Sequence, residues 1–274
     1  MIFQWFSGRA PRFRAAARMA LWHLCVSVVI ALAAGVLVFG LWYPYPYRNL
    51  SGGLHLFTTL IVVDMVCGPL LMFVLFNPAK RWRERAVDFS LIGLIQLGAL
   101  IYGLHVVAQA RPVVTAFEAD RLTVVSAEQI NPAKLREAQP QFRHESWTGP
   151  RLLGTREAKP DEQLASIAES LGGVEPSARP GWWQPYDESL PAIRKRMQKA
   201  VDLRARLTPE KQAALDAAVR QTGLPLADLY YLPLVSARQL DSWIALLDAQ
   251  GKVVGYAPED GFPPDKAKAP TPSK

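Results

Sequence analysis

Cysteine is nearly absent: the 274-residue chain has two, Cys25 and Cys67, and both fall inside long apolar runs. No disulfide framework can therefore staple the polar part of the chain, which has to build its core by packing alone. The patterns that carry common catalytic chemistry are missing too. There is no G-x-S-x-G elbow, no Walker loop, no H-E-x-x-H and no C-x-x-C. His23, His55 and His105 lie near the ends of apolar runs with no Cys or carboxylate at ligand spacing, so no metal site is expected. His144-Glu145 is the only histidine-carboxylate neighbour in the polar part, a pairing too frequent by chance to carry catalysis. These absences point to a chain that is not an enzyme, with no cofactor and no catalytic residue.

A basic surface is missing as well. The formal net charge is +7, but residues 1–110 hold nine Lys/Arg against Asp64, Glu84 and Asp88, leaving 22 basic and 21 acidic residues in 111–274. The polar part is close to neutral and gives no electrostatic case for nucleic-acid binding. No internal repeat is present.

What the chain does have is long apolar runs, at 21–43, 54–76 and 89–110, each longer than the roughly 20 helical residues that cross a bilayer core. Asp64 is the only charged residue inside them. Arg9, Arg12, Arg14 and Arg18 precede the first run, and Lys80, Arg81, Arg83 and Arg85 separate the second from the third. The loop between the first two holds only Arg48. Cytoplasmic flanks collect Lys and Arg, so the expected orientation puts the N-terminus inside and the chain from Arg111 onward outside, in the periplasm of a Gram-negative inner membrane. Ala31-Leu32-Ala33 resembles a signal-peptide cleavage site, but the apolar run continues well past it, which favours an uncleaved anchor. Trp22, Trp42, Tyr43, Tyr45 and Tyr47 fall at the expected interfaces, where amphipathic rings anchor helices.

Asp64 sits about 15 Å into the second span, near the bilayer midplane. A carboxylate there must face protein or water, be protonated, or find a partner, and Gln96 of the third span is at matching depth. Gly68-Pro69 follows on the same helix, and a proline without an amide hydrogen should kink it. Ser27, Ala31 and Gly35 on the first span, and Ala99 and Gly103 on the third, recur every four residues and allow close helix contact.

Beyond residue 110 the pattern is α+β with antiparallel strands. Segments 113–119 and 121–126 read as a hairpin, 161–171 as a helix ending at Gly172-Gly173, and 176–186 as an ordered loop in which Trp182 and Trp183 could form a recognition patch. Pro191 opens a helix with Ile193, Met197 and Ala200 on one face, extended by Leu203 and Leu207. Thr208-Pro209-Glu210 starts another that Gly223 closes, giving an antiparallel helix pair. Strands follow at 230–236, 243–248 and 252–256, the last two joined by Ala249-Gln250-Gly251.

In chain order, Trp42-Tyr43-Pro44, Gly52-Gly53-Leu54, Val63-Asp64, Gly68-Pro69-Leu70 and Phe76-Asn77-Pro78-Ala79-Lys80 resemble the type IV pilin accessory proteins, the TfpX and TfpZ group. The likeness continues through Asp88, Gln96-Leu97, Ala99-Leu100, Tyr102-Gly103-Leu104, Arg111-Pro112-Val113 and Phe117-Glu118-Ala119-Asp120-Arg121. It is close over 20–130 and looser beyond, where it rests on Tyr231-Leu232-Pro233-Leu234 and the Trp243 hairpin. The resemblance implies an inner-membrane accessory factor or chaperone for the type IV major pilin, with other pilus assembly proteins among its partners.

The expected organisation is a cytoplasmic N-terminus (1–20), a three-helix transmembrane region (21–110), a periplasmic α+β domain (111–262) and a disordered tail (263–274). The expected partners are the pilin's transmembrane helix and head, and the lipid bilayer. Asp64, Gln96, Gly68 and Pro69 are expected to contact the helix, and Trp182 and Trp183 the head. A transporter or membrane enzyme using Asp64 is one alternative, and a membrane-anchored periplasmic sensor or binding module is another.

Overall fold

The computed structural model describes residues 10–77 and 79–263. The tail expected to be disordered lies outside the described residues except for Pro263, as do the first nine residues of the expected cytoplasmic segment. The chain divides into two units, Met1–Pro44 with Gly52–Ala110, and Tyr45–Ser51 with Arg111–Lys274.

The first unit is built from three helices. The first, α1 (Ala10–Leu37), runs on through a π-helical turn, Val38–Trp42, closed where the Tyr43 amide donates to the Val38 carbonyl at 2.8 Å. The single turn α2 (Tyr47–Leu50) belongs to the second unit, and α3 (Gly53–Leu75) and α4 (Trp82–Gln109) complete the first. All three long helices are apolar enough to cross a membrane. α4 begins well before the apolar run at 89–110, because Arg83, Glu84 and Arg85 are good helix formers that continue the helix into its polar flank.

α3 packs against both α1 and α4. Val38, Phe57 and Val107 meet in a small core, while Val29 and Val36 of α1, Val62 and Leu70 of α3, and Leu94 and Tyr102 of α4 stay exposed. In water such exposure would be prohibitive, so these faces are fitted to lipid. Close approach depends on small residues, as the sequence suggests. A Cβ on Gly103 would collide with Leu60, and one on Gly35 would touch the Phe57 ring at 3.6 Å. The Gly52-Gly53 pair has two separate reasons. Gly52 takes φ +72° to start α3, and a side chain on Gly53 would strike the Tyr43 ring, whose hydroxyl donates to the Val107 carbonyl at 2.8 Å.

The second unit is one curled, mixed sheet with helices on it. Its strands are β1 (Pro112–Glu118), β2 (Arg121–Ser126), β3 (Arg151–Thr155), β4 (Trp183–Pro185), β5 (Gln198–Lys199), β6 (Tyr230–Ser236), β7 (Ile244–Leu247) and β8 (Val253–Ala257). The order is β4-β3-β1-β2-β6-β7-β8, with β5 added to β6. The expected antiparallel hairpins β1–β2 and β7–β8 are present; a parallel pairing, β2–β6, and the antiparallel β6–β7 join them, and a second parallel pairing, β1–β3, extends the sheet beyond β1.

The sheet is covered on both faces, so the strands β1, β6 and β7 are buried almost throughout. Leu232, Leu234, Ala245 and Leu247 point into one core with Leu122 and Val124, capped by Ile193 of α6 (Tyr186–Arg196). Tyr231, Ile244 and Leu246 point the other way, onto Leu203 of α7 (Ala200–Ala205) and Leu215 and Val219 of α8 (Pro209–Thr222). This is the period-2 alternation of strands with two buried faces. The helix expected to run from Pro191 to Leu207 is broken. α6 starts at Tyr186, which leaves Pro191 beyond the first turn, and the chain extends after Arg196 so that Gln198 and Lys199 can pair with Tyr231 and Tyr230. Gly223 closes α8 at φ +71°, as its position suggests, whereas the Thr208 side chain makes no capping bond.

Tyr45–Ser51 is part of this unit. Tyr47 and Leu50 are buried in the same core as Leu232 and Trp243. Thr115 Oγ1 donates to the Tyr47 hydroxyl at 3.0 Å, and Ser236 Oγ donates to the Leu50 carbonyl at 2.8 Å. Burial pushes the Tyr47 hydroxyl well above the usual phenol range, so it stays neutral.

Candidate functional site

The polar residues of the three long helices converge. Gln96 Nε2 lies 3.3 Å from the Asp64 carbonyl and 3.4 Å from Asp64 Oδ1, so one amide ties α4 to both the backbone and the acid of α3. α1 supplies the third side of the cluster. His23 Nδ1 is 3.4 Å from Ser27 Oγ, and a Cβ built on Gly68 would lie 2.8 Å from His23 Cε1 while colliding with the Gln96 amide. Gly68 is therefore the gap that lets His23 and Gln96 reach the same patch of α3.

The arrangement separates the residues picked out by sequence. Asp64, Gln96 and Gly68 are brought together, with Pro69 adjoining Gly68 inside α3. Gly68 is buried between helices, so it spaces the bundle and does not present a face to a partner. Asp64 keeps spare capacity. A carboxyl group accepts about four hydrogen bonds, and among the described residues Gln96 is its only side-chain hydrogen-bond partner. In the sequence His23 stands near the end of its apolar run with no carboxylate at ligand spacing, and Ser27 is one of a row of small residues, so neither is marked as part of a site with Asp64. Only the rotation of α1 about its axis brings His23 to Gly68.

In the second unit the tryptophan pair splits. Trp183 is buried, and its indole N–H donates to the Ser177 carbonyl at 2.8 Å. It packs among Val113, Ala116 and Leu153 and is no recognition patch, because β4 turns its side chain into the core. Trp182 remains half-buried, its ring held between the guanidinium groups of Arg156 and Arg179 at 4.8 and 4.9 Å. Glu145, the acid beside His144, is taken by Arg111 at 2.6 Å. Among the described residues no group of three or more His, Cys, Asp or Glu side chains is placed to hold a metal ion.

A model of the family described as "Fimbrial assembly protein FimB" matches residues 11–52, the stretch from α1 through α2. The serogroup E1 fimbrial assembly protein of Dichelobacter nodosus is 35% identical over 252 residues, which is 92% of this chain and 98% of that protein. The serogroup I protein of the same organism matches to the same extent. The chain belongs to the fimbrial assembly protein family. A third family member, from serogroups C1 and C2, is 44% identical over 115 residues, covering 42% of this chain and 88% of its own. No solved structure matches the chain. The serogroup E1 and I alignments run through the sheet-bearing unit as well as the three apolar helices.

Proposed function

We propose that this chain is an inner-membrane accessory factor of the pilin-accessory kind, which holds the major fimbrial subunit before and during its assembly into a type IV fimbria. The observation that carries the reading is its relation, over 98% of their length, to two proteins named for fimbrial assembly. The role is one of binding and needs no catalysis.

The membrane bundle supplies a way to hold a single apolar helix. Its faces are exposed outside a thin core, and beside them Asp64 keeps unused hydrogen-bonding capacity next to Pro69, which deprives the Met65 carbonyl of its helical partner. A polar atom on a client helix gains more from such a site in lipid than from the surrounding hydrocarbon.

The N-terminus is cytoplasmic and the second unit periplasmic in this reading. Basic flanks before α1 and α4 support it. So does the packing of Tyr45–Ser51 inside the second unit, because three spans put that loop and the chain after α4 on one side.

Deleting the gene and measuring surface fimbriae and cellular subunit level tests the role. The expected result is loss of fimbriae with reduced subunit; normal fimbriae would refute it.

A further inference from the structure

The helix α5 (Gln163–Leu171) is mounted with its apolar side outward. Leu164, Ile167 and Leu171 are 84%, 60% and 85% exposed, and Val174 just beyond the helix is 39% exposed. Surface helices ordinarily turn such a stripe to the core. Here the polar side is turned in. Arg179, only 4% exposed, donates to Ser166 Oγ and the Ser166 carbonyl at 2.9 Å, to Ser170 Oγ at 3.0 Å and to the Val174 carbonyl at 2.6 Å, and pairs with Glu169 at 3.1 Å. At the other end Arg156 grips Glu162 with two bonds of 2.6 and 2.8 Å. Gly173, at φ +84°, and the Val174 amide, bonded to the Glu169 carbonyl at 3.0 Å, close the helix and carry Val174 onward. A nine-residue helix would be marginal alone, so these bonds fix its outward face.

We infer that α5 is a pairing surface for a second copy of this chain. Residues 164, 167, 171 and 174 are spaced three, four and three apart, the seam by which like helices interlock. The one charge on the helix, Glu169, is already engaged by Arg179 and by Lys134 at 3.5 Å, so two copies meet without a like-charge penalty. A lipid surface fits less well, because α5 has no Lys or Arg to meet headgroups. So short a seam buries less than the roughly 800 Å² per partner of a standard interface. Confinement of the three apolar helices to one membrane raises the effective concentration that lets it pair. The inference does not depend on what the bundle holds.

The test is oxidative cross-linking of the full-length chain in membranes, with Cys25 and Cys67 replaced by serine. The centre of the seam lies between Ile167 and Leu171, so in a two-fold pair Ile167 meets its own counterpart when the helices run parallel and Leu171 of the other copy when they run antiparallel. Either Ile167→Cys alone or Ile167→Cys co-expressed with Leu171→Cys should give a disulfide dimer several-fold more readily than the exposed off-seam controls Glu157→Cys and Lys159→Cys. Adding Leu164→Asp to the seam-cysteine chains should abolish the dimer while leaving tryptophan fluorescence unchanged, because Leu164 packs against little of its own unit. Equal cross-linking at seam and control positions, a seam cysteine that links only to a protein of another mass, or a polarity-sensitive label at 167 that reports lipid would each overturn the inference.

Discussion

Thr115 in β1 and Tyr47 in the loop between the first two long helices share a hydrogen bond of 3.0 Å in the core of the sheet-bearing unit. Tyr256 in β8 lies on the other side of the same hydroxyl at 3.2 Å. A seven-residue loop that could have been a bare connection is thus an internal part of the second unit, with Tyr47 6% and Leu50 0% exposed.

Removing that ring should destabilise the second unit. Tyr47→Ala is expected to cost about 3–5 kcal/mol, the range for a buried aromatic, and Tyr47→Phe about 1 kcal/mol for the lost hydrogen bond. Urea unfolding of the solubilised protein, followed by tryptophan fluorescence, checks both. Equal stability of the wild-type and Tyr47→Ala proteins would show that the loop is dispensable.

The tip of the β1–β2 hairpin holds Ala119 at φ +56°, a left-handed conformation that a Cβ disfavours. Relieving it gains about 1–2 kcal/mol, and the added freedom of glycine in the unfolded chain takes back about 0.4–1 kcal/mol. Ala119→Gly should therefore raise stability by about 0.5–1 kcal/mol, measured as a higher urea midpoint at unchanged slope.

Arg156 holds the Glu162 carboxyl down to about 2 from an ordinary value of 4.5. A lowered carboxylate stabilises the fold fully above 4.5 and loses that contribution as pH falls toward 2. Amide hydrogen exchange of α5, taken relative to the free-chain rate at each pH, should stay equally protected from about pH 8 to 5 and lose protection below about 4.5. Glu162→Gln should show the lost protection already at neutral pH.

Much of the fold could be read from the sequence because its signals are local. Apolar runs longer than a bilayer core mark the three helices, and alternation with turn residues marks β1–β2 and β7–β8. The parallel pairings, β3 and the two- and three-residue strands β5 and β4 could not be read, since each depends on distant partners. Gln198 and Lys199, for example, are exposed and polar, and only Tyr231 and Tyr230 make them a strand. The buried loop was hidden in the same way, because Tyr45 and Tyr47 at a span end also fit the pattern of interface anchors. At the candidate site the pairing of Asp64 with Gln96 followed from equal depth, whereas His23 required the rotation of α1 about its axis. The burial of Trp183 turned on the direction of one short strand.

Asp64→Asn keeps an oxygen for Gln96 while removing the acid. The bundle should tolerate it within about 1 kcal/mol, the scale of interhelical hydrogen bonds in membranes. Surface fimbriae should nevertheless fall while the level of the variant protein, followed by immunoblot, stays normal. Loss of the variant protein itself would assign Asp64 to bundle stability alone.

The most direct measurement places a photo-activatable cross-linking residue at position 64 of the full-length chain in fimbriated cells. Holding of the subunit's membrane helix beside Asp64 predicts an adduct whose added mass is that of the major fimbrial subunit. Adducts with unrelated membrane proteins and none with the subunit would contradict it.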